Sequence, residues 1–143
     1  MIPWQIVNTQ SDLNALREAV CWEDSEIIEY YVSHFALPGF PADTNLSGYR
    51  LPNVYMLVDS CSKQAPHLEI VWIHADNFDA QFAQYPFVGG SVDSLHRVEI
   101  TDYTKTIRMR CARLIYRFRD DLPPVPQLHF ARMFQEIVSD REV

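Results

Sequence analysis

Apolar and charged side chains alternate through residues 105–120, KTIRMRCARLIYRFRD, with the two-residue period of a β-strand. Ile107, Met109 and Cys111 fall on one side, and Arg108 and Arg110 on the other. Past Ala112 the parity changes: Leu114, Tyr116 and Phe118 now alternate with Arg113, Arg117 and Arg119. An unbroken strand would swap its faces there, driving Arg113 into the core and exposing Leu114, Tyr116 and Phe118. A β-bulge near Ala112 and Arg113 keeps the apolar set on one side, so the segment reads as a long, bent central strand.

The other elements are predicted around it. Residues 2–7 form a short edge strand or a packed arm, confined to the periphery by Pro3. A helix follows, with Ser11 as N-cap, Asp12 in its first turn and Leu13, Leu16 and Val20 along one surface, ending near Cys21. Residues 24–35 read as a full strand covered on both sides, with Ile28, Tyr30 and Val32 on one face and Ile27, Tyr31 and Phe35 on the other. Residues 36–48, ALPGFPADTNLSG, hold two prolines and two glycines; this longest loop is either a binding element or a tolerated surface insertion.

Strands at 53–61 and 67–74 are joined by a connection short enough for an antiparallel hairpin. Val54, Met56 and Val58 share a face, as do Leu68, Ile70 and Trp72. The pattern loosens over residues 75–91, where a helical turn near 77–83 and the aromatics Phe78, Phe82, Tyr85 and Phe87 would cap the open end of a sheet. A fourth strand at 94–101 turns tightly into the central one. The proline-rich linker 121–127 is stiff, and Phe130, Met133, Phe134 and Ile137 mark one face of a C-terminal amphipathic helix. The predicted fold is α+β: a single antiparallel, strongly bent β-sheet of about five or six strands with an N-terminal and a C-terminal helix.

At 143 residues and 48% hydrophobic content, the chain suits a single globular domain, 1–143, burying roughly two-thirds of its unfolded surface. It opens with no basic segment leading into an apolar run, and it contains no stretch of about 18 apolar residues. A cytoplasmic protein with no membrane association is expected. Cys21, Cys61 and Cys111 are odd in number and widely spaced, as buried thiols of a reducing compartment would be.

A net charge of −7 excludes nucleic acid as the expected partner, since phosphate binding needs a dominant positive field. The charge is uneven. Residues 1–31 carry Asp12, Glu18, Glu23, Asp24, Glu26 and Glu29 against Arg17 alone, whereas residues 97–119 hold seven of the twelve Lys and Arg residues. An acidic flank and a basic strand face either pair internally or present two electrostatic surfaces.

No catalytic constellation emerges. His34, His67, His74, His96 and His129 show no metal-ligand spacing, and no GxSxG, CxxC or phosphate-loop motif surrounds a serine, a cysteine or the Gly89–Gly90 pair. Glu23, Asp24, Glu26 and Glu29 are neighbouring carboxylates without the burial that would separate their pKa values for acid–base work. The expectation is a protein that is not an enzyme, with no catalytic residues, no cofactor and no metal.

The most distinctive local feature is residues 22–28, WEDSEII, an aromatic anchor followed by acidic residues entering a strand. Here the chain resembles small bacterial proteins, including immunity proteins of polymorphic toxin systems, that carry a short W/F-H-D-[AS]-x-[VI] element at the first long strand. In those proteins hairpins and a late basic, cysteine-containing strand similar to IRMRCARLIYRF follow. The likeness spans residues 22–118 in order and pattern. It departs at Glu23, where the family has histidine, so any role of that imidazole is lost here; the 36–48 loop is also longer. The resemblance implies stoichiometric binding of a cognate toxin. An acidic protein is steered onto a basic toxin, with aromatic or arginine anchors adding short-range affinity. The expected partner-binding residues are Glu23, Asp24, Glu26 and Glu29, with Phe40 and Tyr49 on the adjoining loop. The alternative is a homodimer or other homo-oligomer, structural or ligand-binding, using the C-terminal helix and the aromatic segment 78–87.

Overall fold

The parity change at Ala112 marks the place where one strand passes from one sheet to another. The computed structural model describes residues 2–20, 25–33, 52–60, 65–76, 89–101, 108–123 and 129–141. In it β7 (Arg108–Cys111) and β8 (Arg113–Arg119) are separated by Ala112 alone. The Ala112 N–H donates to the Ile73 carbonyl at 2.9 Å, which pins the break. Met109, Cys111, Leu114 and Tyr116 all enter one core cluster, so the break keeps the apolar side inward as the pattern requires.

The single sheet of the sequence reading is two. β8 lies inside a five-stranded antiparallel sheet with β1 (Gln5–Val7), β2 (Glu26–Ser33), β3 (Asn53–Asp59) and β4 (His67–Ile73), in the order β1-β8-β4-β3-β2. β7 belongs to a three-stranded antiparallel sheet with β5 (Gly89–Val92) and β6 (Val98–Thr101), in the order β5-β6-β7. The backbone changes partners at Ala112, and a local bulge in one sheet becomes a corner between two.

Helix α1 (Gln10–Ala19) starts earlier than the sequence reading placed it. Its N-cap is Thr9, whose hydroxyl accepts from the Asp12 N–H at 3.1 Å while the Asp12 carboxylate accepts from the Thr9 N–H at 3.1 Å. This reciprocal capping box puts Ser11 inside the first turn. Leu13 and Leu16 are fully buried against the three-stranded sheet and the Val54/Met56/Val58 and Leu68/Ile70/Trp72 face. Those two triplets share a face, as their alternation required.

The opposite face of the five-stranded sheet, bearing Tyr55, Leu57, Val71, Ile73 and Ile115, is covered by α2 (His129–Arg141) through fully buried Phe130 and partly buried Met133 and Phe134. The Tyr31 and Phe134 rings stack at 4.9 Å, and Tyr55 meets Phe134 edge-on at 5.0 Å. The molecule is thus layered: α1 and the small sheet, the large sheet, then α2.

β2 corrects a further expectation. A register shift between Ile27 and Glu29 places Ile28 on the α2 side and Ile27 on the other. Tyr30 and Val32, opposite Met56 and Val54, are 45% and 46% exposed, so this terminal strand is only partly covered. The predicted strand at 94–101 is shorter, because residues 93–97 form a turn closed on the Asp93 side chain, with His96 in the left-handed region at φ 65°. The loop 36–48, the aromatics 78–87 and most of the proline linker lie outside the described residues. Among the described residues no helix is long and apolar enough to cross a membrane.

Candidate functional site

A carboxylate in the middle of an apolar strand must find partners or lose its charge. Glu69 is that residue in HLEIVWI, with its side chain 0% exposed on the α2 face. The register of β4 on β8 sets it opposite Arg117. Arg117 Nε donates to Glu69 Oε1 at 2.7 Å, and Arg119 donates to the same oxygen at 2.6 Å. The imidazole of His129, the first residue of α2, donates from Nε2 to Glu69 Oε2 at 3.1 Å. Burial alone would push the Glu69 pKa up, but the hydrogen bonds from His129, Arg117 and Arg119 and the Arg117 charge outweigh it and hold the pKa at about 2.

The cluster extends to both ends of the chain. Arg119 also grips Asp121 through two hydrogen bonds, of 2.5 and 2.9 Å, raising its own pKa and lowering that of Asp121. Arg117 donates to the Ile2 carbonyl at 3.1 Å, and its guanidinium lies 4.1 Å from the Trp4 ring centroid. Two guanidinium charges are therefore matched by two carboxylates, and both oxygens of Glu69 are occupied. A carboxylate held ionised and saturated in this way is neither a general acid nor a general base near neutral pH. The cluster is a structural junction.

The expected partner-binding residues fare differently from one another. Glu26 is exposed at the start of β2, opposite the exposed Asp59. Glu29, on the same strand, does another job: its Oε1 accepts from the N–H groups of Phe130 and Ala131 at 3.1 and 3.3 Å, capping α2 from a distant strand. Glu23, Asp24, Phe40 and Tyr49 lie outside the described residues. The basic strand and the acidic N-terminal flank do not neutralise each other at Glu29; Arg110 is near Glu99 at 3.9 Å, and Arg117 and Arg119 serve Glu69.

Of the other candidates, Cys111 is buried, with its thiol pKa pushed up by burial, and is not a nucleophile. Cys21 and Cys61 lie outside the described residues. Among the described residues no three His, Cys, Asp or Glu side chains group so as to hold a metal ion. The Glu69 junction escaped sequence reasoning because its members lie 48 to 60 residues apart; the one local signal was a carboxylate within an apolar strand. The exposed pair Tyr30 and Val32 escaped because alternation alone does not say which face lacks a cover.

No protein-family model matches the chain, and comparison with curated proteins and with solved structures finds no match.

Proposed function

We propose that the chain is a non-catalytic cytoplasmic binding protein, an immunity-type antitoxin that neutralises a basic toxin by stoichiometric binding. The observation that carries this reading is on β2, where the half-exposed Tyr30 and Val32 share a terminal strand with the exposed carboxylate of Glu26. Terminal strands of soluble proteins are ordinarily guarded by polar or charged residues, so an aromatic and an aliphatic side chain exposed side by side mark a contact surface. Glu26 beside Asp59, on a chain of net charge −7, favours a cationic partner and disfavours a second copy of equal charge.

The test is co-expression with the product of the directly upstream gene. The expected result is rescue of growth and a 1:1 complex that weakens with salt. Tyr30→Asp together with Val32→Asp, or Glu26→Lys, should each weaken it at least about tenfold. No complex, with the chain dimeric in solution, would replace this reading with the homo-oligomer. Unchanged affinity in these variants would remove β2 from the interface.

A further inference from the structure

A sheet edge offers a row of N–H and C=O groups to any other chain, and soluble proteins obstruct it. The two sheets end on β1, β2, β5 and β7, and three of these edges are obstructed by identifiable means. On β5 the side-chain amide of Gln10 stands in for a neighbouring strand: its Nε2 donates to the Gly90 carbonyl at 3.2 Å, and its Oε1 accepts from the Val92 N–H at 3.1 Å. On β7, Arg110 exchanges both backbone hydrogen bonds with Asp76, at 2.7 and 3.1 Å. β1 is only three residues long and follows Pro3, which has no N–H to offer.

β2 differs. It is eight residues long, and among the described residues no strand or bridge lies beyond it. After the register shift it pairs regularly with β3 from Glu29 to Ser33. We infer that this edge takes its partner by strand addition: an extended segment of the cationic protein proposed above pairs with the backbone of residues 29–33 as a sixth strand of the five-stranded sheet. The inference rests on the binding reading and supplies its mode. Strand addition draws affinity from main-chain hydrogen bonds and specificity from alternate side chains, and both are set here. Tyr30 and Val32 lie opposite Met56 and Val54 on the α1 side. An incoming strand lays every second side chain beside them, and apolar ones extend that face. On the other side Tyr31 is stacked on Phe134 of α2, so β2 is held in place before the partner arrives. β2 and β3 contain no lysine or arginine, and Glu26 faces Asp59 at their acidic end. Lysine or arginine at the intervening positions therefore complements this edge, whereas a second copy brings no positive charge to it.

Nuclear magnetic resonance on the full chain tests this with a defined probe, a peptide blocked at both ends in which lysine and valine alternate over about seven residues, enough to span the run. Before it is added, alternate amides of residues 29–33 should exchange faster than their neighbours, because every second one points away from β3. The peptide should shift these amides and slow their exchange, leaving Ile6 and Val7 unchanged. Methylating alternate backbone nitrogens of the peptide keeps its side chains and charge but removes donors, and should weaken binding at least about tenfold. Glutamate in place of lysine should do the same. Equal binding of the methylated and unmethylated peptides, or no perturbation of β2, would overturn the inference. So would slow exchange of every amide from Glu29 to Ser33 without peptide, since the edge is then already filled by the chain itself or by a second copy. Failure of the antitoxin reading looks different: the peptide adds to β2 while the upstream gene product forms no complex. A complex with that product in which these amides still exchange at their free rates would remove strand addition and leave the antitoxin reading standing.

Discussion

Glu69 on β4 and Arg117 on β8 stand directly opposite each other in the large sheet, Nε to Oε1 at 2.7 Å, with side chains 0% and 7% exposed. The break at Ala112 makes this pairing possible. Had the parity of β7 continued, Arg117 would have pointed into the core with Leu68 and Ile70; the corner turns it, with Arg119, toward α2, where Glu69 waits. A sequence feature that first reads as a way to protect the core is also what assembles the buried ion cluster.

Removing the carboxylate should cost far more than an ordinary surface charge. Glu69→Ala leaves two guanidinium groups in a largely dry site without their shared acceptor, and breaking a buried pair in this way typically costs about 3–5 kcal/mol. Urea unfolding monitored by tryptophan fluorescence should show a midpoint lowered accordingly with an unchanged slope. A loss below about 1 kcal/mol would mean that water or Asp121 satisfies both arginines and that the junction is dispensable.

The same carboxylate sets a pH dependence. Its folded pKa, about 2, lies below the ordinary 4.5. The stabilisation is therefore fully present above pH 4.5 and is lost as the pH falls toward 2. The difference of 2.5 pH units corresponds to something on the order of 3 kcal/mol. Glu69→Gln cannot titrate, so the stability gap between wild type and this variant should be constant from pH 7 to about pH 5 and should shrink steadily below it. A gap that stays constant down to pH 2 would show that Glu69 is not held ionised by its partners.

Local pattern carried much of this fold and little of the junction. The β3–β4 hairpin, the buried face of α2 and the turn of the central strand were all legible, because each is written in residues a few positions apart: Val54/Met56/Val58, Phe130/Met133/Phe134, and the shift from Cys111 to Leu114. β5 was not, since Gly89 and Gly90 have no strand preference of their own and gain one only by pairing with Thr101 and Ile100. Nor was the split into two sheets, which depends on which strands flank each half of the central one. Glu69, Arg117 and His129 meet only in three dimensions. Glu29 was legible as a carboxylate but not as a cap, because the helix it caps begins 100 residues later.

The start of α1 offers a local test. Thr9 and Asp12 exchange side-chain and backbone hydrogen bonds, whereas Ser11 lies within the first turn and is exposed. Thr9→Ala should destabilise by about 1 kcal/mol, and Ser11→Ala should stay within about 0.5 kcal/mol. Chemical denaturation of the two variants side by side decides between the caps; equal costs would mean that the helix frays past Thr9 in solution.

Glu26 and Glu29, neighbours in the acidic stretch, should separate cleanly. Glu29→Ala removes the acceptor for the Phe130 and Ala131 N–H groups at the buried start of α2, and should cost about 1–2 kcal/mol with loss of helical circular dichroism. Glu29→Gln keeps an amide oxygen for those two donors. It also removes the charge at the buried Oε2 position, which has no hydrogen-bond partner among the described residues, so it should cost less than Glu29→Ala. Glu26→Lys touches neither helix nor core and replaces a like charge opposite Asp59 with an opposite one, so stability should change by no more than about 0.5 kcal/mol. If Glu29→Ala instead left stability intact, its carboxylate would be available to a partner and the cap would be incidental. If Glu26→Lys unfolded the chain, the exposed end of β2 would belong to the fold and could not serve as a contact surface.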